Sequence, residues 1–227
     1  MSQSSLFKIK QSLSNLFKTS KEKRHSLVGA GNLWQMKRDF QIKFLMSQGL
    51  KPSDKLMDIG CGTLRGGIPI IDYLDVSNYY GIEVRKGVLE EGIKELKASN
   101  LLHKMPKLIH FNHFDEIKAD DEIDVMFAFS VLIHLNDTIV DACFQMASKL
   151  LSEDGKFYAN VNIGSNKEGQ WQGFPVVFRT LEFYRNLAYK YGLSLEVLGS
   201  LKDLGHITGK KSDEQQIMLK FSRHGLT

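Results

Sequence analysis

Residues Lys55–Gly67 read K-L-M-D-I-G-C-G-T-L-R-G-G. A short apolar run ends in the acid Asp58. Gly60 and Gly62 follow with Cys61 between them, and a helix-like segment comes next. Glycine at alternate positions lets the backbone turn sharply and approach a ligand that a Cβ would keep away. The helix after such a turn presents unpaired N–H groups and the positive end of its dipole, which suits a carboxylate or phosphate. The stretch therefore predicts a strand–turn–helix unit that holds a small anionic or zwitterionic cofactor.

Around this unit, helix and strand patterns alternate. Trp34, Phe40, Phe44 and Leu45 predict a helix before a first strand at Lys55–Ile59. Helices are expected at Arg65–Leu74, Gly87–Ala98, Thr138–Leu151 and Thr180–Tyr191. Strands are expected at Tyr79–Val84, Lys107–Phe111, Ile123–Phe129 and Lys156–Asn162, then at Leu195–Leu198 and Gln215–Phe221. A turn at Glu153–Gly155 separates the Thr138–Leu151 helix from its strand. Ile123–Phe129 is nearly all apolar, as a strand covered on both faces should be. The order predicts an α/β fold: a Rossmann-like, doubly wound sheet of seven strands, helices on both faces, its last two strands an antiparallel pair.

With 227 residues and 42% hydrophobic content, the chain can bury one sizeable core. A net charge of +4 permits an acidic partner without demanding one, and no basic stripe points to nucleic acid. Two cysteines, Cys61 and Cys143, exclude a disulfide framework and suit a reducing cytoplasm. No Cys/His cluster has metal-ligand spacing, so no metal is expected. The longest apolar run, Met126–Ile133, is too short to span a bilayer, and no secretory signal is evident.

Residues 1–25 differ from the domain expected over 26–227. Leu6, Ile9, Leu13, Leu16 and Phe17 recur at helical spacing, with Lys8, Lys18, Lys21, Lys23 and Arg24 mostly off that stripe and Lys10 within it. Two readings stay open. The arm is a basic amphipathic helix that meets a membrane surface or a partner, or it folds back on its own domain or on a dimer mate. The sequence does not give the oligomeric state.

Elimination narrows the cofactor. A dinucleotide loop, G-x-G-x-x-G, would need a glycine where Arg65 stands, and a phosphate-binding G-x-x-x-x-G-K-[ST] fails at Ile68. What remains is Asp58, the glycine turn, and a second acid, Glu83, at the end of the next strand. A carboxylate there suits a pair of ribose hydroxyls, since it accepts two hydrogen bonds at once.

D-I-G-C-G-T at Asp58–Thr63, G-I-E at Gly81–Glu83, D-V-M-F-A-F-S-V-L-I-H-L at Asp124–Leu135 and L-L-S-E-D-G-K-F-Y at Leu150–Tyr158 arrive in a fixed order. In this the chain, from about Gly31 to Phe221, resembles the class I S-adenosylmethionine-dependent methyltransferases. The resemblance implies S-adenosylmethionine as cofactor and S-adenosylhomocysteine as product. It implies that Gly60, Cys61 and Gly62 pack on the methionine part. Asp58 would hold the loop and the amino end, and Glu83, with Val84 beside it, would bind the ribose side. His113 and Phe114 would meet adenine, and Phe129 and Ser130 would line the cofactor. One departure is Leu64, where the family often has a third glycine; a slightly different turn is expected. For Cys61, a small residue in a tight turn is a better reading than a nucleophile, because no base is evident beside it.

The family's base-modifying amino methyltransferases carry (D/N)-P-P-(Y/F) after the fourth strand. Residues 130–137 here read S-V-L-I-H-L-N-D, without proline. A hydroxyl acceptor on a small molecule or saccharide is the better expectation. It needs a base, for which His134 and His206 are the candidates. The segment Gly164–Arg179 is expected to cover the acceptor, with Trp171 and Phe174 stacking on it and Arg179 pairing with a phosphate or carboxylate, or else to be a loop stapled by buried aromatics. Trp34 and Arg38, in Gly31–Asp39, are expected to form a lid. Other functions stay open: an RNA or protein methyltransferase docked through the basic arm, or a cofactor-binding domain without turnover.

Overall fold

The structure, a computed structural model, describes residues 19–29, 31–164 and 169–223. The helix expected between Leu6 and Phe17 lies outside them. The described chain begins with α1 (Ser20–Ser26) and α2 (Trp34–Ser47), followed by β1 (Leu56–Ile59), α3 (Gly67–Tyr73), β2 (Tyr79–Glu83), α4 (Lys86–Ala98), β3 (Lys107–His110) and β4 (Ile123–Ala128). Then come α5 (Asp137–Leu150), β5 (Leu151–Val161), β6 (Gly169–Trp171), β7 (Phe174–Val176), α6 (Leu181–Lys190), β8 (Leu193–Ser200), α7 (Lys211–Glu214) and β9 (Ile217–Arg223).

Seven strands form one sheet in the order β3-β2-β1-β4-β5-β9-β8. β1 to β5 are parallel, and β9 runs antiparallel to both β5 and β8. Every residue of β1 and β2 is buried, which is why they read as apolar runs broken only at functional positions. One face packs Phe144, Phe157 and Phe221 beneath α5 and α6. The other packs Phe44, Phe127 and Tyr158 beneath α2. Asn136 and Thr180 cap α5 and α6 by accepting the N–H groups of Ile139 and Phe183. The register sets Asp58 beside both Gly81 and Phe127, so β1, β2 and β4 end at one level. Loops at that end of a doubly wound sheet form its ligand crevice.

Three local expectations need correction. α3 starts at Gly67 rather than Arg65, because Leu64 takes a left-handed conformation (φ 59°) that ends any helix running back from it. The Glu153–Gly155 turn is an extended excursion within β5. Leu151 pairs with Ile123, and pairing resumes only at Lys156 with Val125. The segment after β5, read as a loop, contains the hairpin β6–β7, in which Trp171 pairs with Phe174. At the other end of the chain, the boundary drawn after residue 25 passes through α1, whose Arg24 Nε lies 2.7 Å from Glu95 of α4. No described helix is long and apolar enough to cross a membrane.

Candidate functional site

The glycine turn is held from beneath by one carbonyl: the N–H groups of Gly60 and Cys61 both donate to Ile82 O, at 2.8 and 3.1 Å. Gly60 (φ 70°) and Gly62 (φ 58°) occupy left-handed space. A Cβ on Gly60 would fall 2.6 Å from Val131, and one on Gly62 2.8 Å from Val28. Two positions later Leu64 takes φ 59° as well, its side chain fully buried. At the position where a slightly different turn was expected, leucine adopts the left-handed conformation that glycine finds easy. The strain of roughly 1–2 kcal/mol is held by packing. Leu64 lies against the small face of Gly92, where a Cβ would come within 3.2 Å of it.

The next two glycines carry meaning that the motif reading left unassigned. A Cβ on Gly67 would stand 2.5 Å from the Tyr79 hydroxyl, and one on Gly66 2.1 Å from Gln41 Oε1. Gly67 thereby admits Tyr79, whose hydroxyl donates to Asp58 Oδ2 at 2.7 Å. Asp58 is 4% exposed. Burial raises its carboxyl to about 7, Glu83 adds to the rise, and the Tyr79 hydrogen bond and Arg65 oppose it. Cys61, buried nearby, has its thiol pushed well up by the same desolvation, so it is no nucleophile at neutral pH.

Glu83 is also buried, and both its oxygens are engaged. Oε2 accepts the Gly62 N–H at 3.0 Å, while Oε1 accepts the Arg85 N–H at 2.9 Å and Arg85 Nε at 3.1 Å. The acid that ends β2 therefore ties itself to the turn that follows β1.

After β4 the chain turns at Ser130, again left-handed (φ 59°). Its N–H donates to Asn160 Oδ1 at 2.7 Å, and Asn160 Nδ2 donates to Gln216 Oε1 at 2.5 Å. Asn160 and Gln216 were not foreseen; a buried amide in an otherwise apolar strand was the available signal. Just beyond lies His134, half-buried. Its Nδ1 is 2.7 Å from Pro175 O. A carbonyl only accepts, so Nδ1 carries the proton and Nε2 is left with a lone pair. Burial lowers the His134 pKa, and Arg85 adds to the lowering. Trp171 stacks on the His134 ring at 5.3 Å, and Phe174 lies between His134 (6.2 Å) and the Arg85 guanidinium (5.6 Å).

The opposite wall is basic. The half-buried Arg65 donates from Nη1 to Val28 O at 2.7 Å, and its buried Nε has no partner among the described residues. Lys37 pairs with Asp213 at 2.8 Å. His206 is 1% exposed, packed edge-on to Phe40 and Phe129 at 4.8 and 5.3 Å. Neither of its nitrogens has a partner among the described residues. Burial pushes its pKa down to about 4, and Lys37 and Arg65 contribute.

These parts line one cleft of about 1590 Å³. It brings together Asp58, Gly60, Cys61, Gly62, Glu83, Val84, His113, Phe114, Phe129, Ser130, His134, Trp171, Phe174 and His206. Val84 is 42% exposed, whereas Phe114 is mostly core, tilted against Phe111 at 5.0 Å. Three expected substrate residues lie elsewhere. Trp34 is buried against His25, ring centroids 3.7 Å apart, and the Arg38 guanidinium sits 5.5 Å above it. The residue covering the glycine turn is instead Val28. Arg179 is buried and consumed by scaffolding: it donates to Asp137, to Leu135 O and to the Tyr184 hydroxyl. Sequence reading missed Arg65 and Lys37 because their partners are a backbone carbonyl and an acid far along the chain, and it missed Arg85 because its stacking partner, Phe174, is equally remote.

With this geometry in hand, comparison with known proteins is direct. A family model described as a methyltransferase domain matches residues 57–157, from β1 into β5. Cyclopropane mycolic acid synthase 1 of Mycobacterium tuberculosis is 28% identical over 140 residues, 60% of this chain and 46% of that protein. The chain thus spans about half the length of the curated relative it matches. Among solved structures, magnesium protoporphyrin IX methyltransferase of Synechocystis PCC 6803 with bound S-adenosylhomocysteine superposes with a TM-score of 0.67 at 15% identity, covering 95% of this chain and 100% of that one. Mitomycin 7-O-methyltransferase gives 0.60 at 17%, covering 86% and 55%. A glycopeptide N-methyltransferase complexed with sinefungin gives 0.63 at 11%, covering 82% and 85%. At these identities the structural likenesses speak to the fold.

Proposed function

We propose that this chain, which carries a class I S-adenosylmethionine-dependent methyltransferase domain, moves the methyl group of that cofactor onto a hydroxyl of a small molecule or glycan precursor. The observation that carries the hydroxyl reading is His134. Its Nδ1 proton is fixed on the Pro175 carbonyl, so Nε2 meets the cleft as an acceptor. An amine acceptor brings its own lone pair, whereas a hydroxyl needs its proton taken as the new bond forms.

The residues present fit the cofactor. Asp58 has one oxygen engaged by Tyr79 and Oδ1 left for an ammonium group. Glu83 is anchored by backbone N–H groups, and the partly exposed Arg85 side chain is free to yield its share of the carboxylate to a ribose diol. Val84 offers an apolar face at the expected adenine end. When bound, the cofactor supplies an activated sulfonium methyl group. The protein's part is then alignment and exclusion of water. The β6–β7 hairpin closes the acceptor side with Trp171 and Phe174, and His134 Nε2 takes the acceptor proton. The cleft exceeds the roughly 300–1,000 Å³ usual for one small ligand, which leaves room for donor and acceptor together. The alternative acceptors, RNA or protein docked through residues 1–25, rest on a segment outside the described residues.

Calorimetry with S-adenosylhomocysteine tests the donor, and failure to bind would remove the enzymatic reading. For the base, His134→Ala should lower kcat by about 10²–10⁴. In the parent protein the rate should fall only at pH below the ordinary histidine range, because the neutral imidazole is the working form and burial lowers its pKa. An unchanged acid limb in His134→Ala would take the residue out of the mechanism.

A further inference from the structure

We propose that the cleft's basic wall, formed by Lys37, Arg65 and His206, is an anion subsite for the acceptor, so that the methylated molecule carries a carboxylate or phosphate. The inference rests on the methyltransferase reading and adds the charge of the substrate to it. Two polar groups in this wall are buried with no partner among the described residues: the His206 ring nitrogens and Arg65 Nε. A buried donor without an acceptor carries its full desolvation cost, so such groups mark a position a ligand completes.

The charges point the same way. Burial does most to lower the His206 and Lys37 pKa values; Lys37 and Arg65 add to the lowering at His206 and Arg65 and Lys210 at Lys37, against the opposing Asp213 and, at His206, Glu214. Of the acids facing them, Asp213 pairs with Lys37 and Glu214 Oε1 accepts the N–H groups of Thr208 and Gly209, while Asp58 gives Oδ2 to the Tyr79 hydrogen bond and keeps Oδ1 for the donor. Three elements build the wall: α2 brings Lys37, the turn after Gly62 brings Arg65, and the β8–β9 connection brings His206. His206 lies against Phe129, just past β4, and near enough to Lys37 to feel its charge. Guanidinium, ammonium and imidazole N–H together suit an oxyanion with several acceptor oxygens.

The donor's own carboxylate is a second source of the same chemistry, and the experiment separates the two. The full chain, saturated with S-adenosylhomocysteine, is titrated with inorganic phosphate and with malonate while the histidine ring resonances are followed by NMR. The expected result is a saturable shift of His206. Lys37→Met with Asp213→Asn, which removes the pair without stranding a charge, should weaken that binding by about tenfold, while Lys37→Arg retains it. Affinity for S-adenosylhomocysteine should stay within about twofold in these variants. The proposal is overturned if neither anion binds the loaded protein. It is equally overturned if the double variant loses affinity for S-adenosylhomocysteine but not for 5′-methylthioadenosine, for then the wall belongs to the donor's tail. Binding of S-adenosylhomocysteine to the parent protein, read in the same titrations, tests the methyltransferase premise separately.

Discussion

The two ends of the cleft are built by different means. At the end we propose for the donor, neighbours in sequence do the work: the Gly60–Gly62 turn that follows Asp58 is joined to Ile82 and Glu83 by the Ile82 carbonyl and the Gly62 N–H. At the end we propose for the acceptor, His134 is oriented by Pro175, 41 positions away, and Lys37 meets Asp213 across 176. The first end uses backbone groups that any sequence with the right turn supplies. The second uses side chains that only the finished fold brings together. A short motif can therefore announce a donor and stay silent on the acceptor.

Substitutions can break or sharpen this contrast. The largest effect is expected from Glu83→Ala, which strips the Gly62 and Arg85 N–H groups of their acceptor. Affinity for S-adenosylhomocysteine should fall about a hundredfold, roughly 2.7 kcal/mol, by calorimetry. Retention within threefold, about 0.7 kcal/mol, would deny that the donor end depends on this acid. Next is Leu64→Gly. Easing the left-handed backbone returns about 1 kcal/mol and removing a fully buried leucine costs more, so a net loss near 2 kcal/mol is expected in urea unfolding. A stabilised variant would mean that strain, not packing, governs the turn. The smallest effect belongs to Trp171→Ala. It should leave affinity for S-adenosylhomocysteine within about twofold, since the hairpin belongs to the acceptor end; a larger loss would show the ends to be coupled.

The seven-stranded sheet was legible because the central parallel strands β1, β2 and β4 are largely buried, mostly apolar segments and helices follow β1 and β2. The hairpin was not, because Gly169–Trp171 and Phe174–Val176 are too short to show a period. Asp58 and Glu83, read from position as the donor's acids, both line the cleft. His206 was singled out as a base, and its burial beside two cations gives it a pKa of about 4, a poor value for that task near neutral pH. Arg179 looked like a ligand for phosphate, and its planar fork is spent instead on Asp137 and a carbonyl. The residue that fills the phosphate-binding role in our reading, Arg65, stood in the opening motif, where it registered only as a missing glycine.

One consequence of the buried Asp58 reaches beyond the cleft's shape. With its carboxyl raised to about 7, this group holds a proton for part of the time at neutral pH. A cationic donor and that proton seek the same oxygen, so they compete. On the proposed reading, a donor ammonium at Asp58 would favour the ionised carboxylate, so uptake of the methyl donor would release acid to the solvent and donor affinity would rise with pH through this range. One carboxylate would then trade a proton for the donor's cation before any methyl group moves.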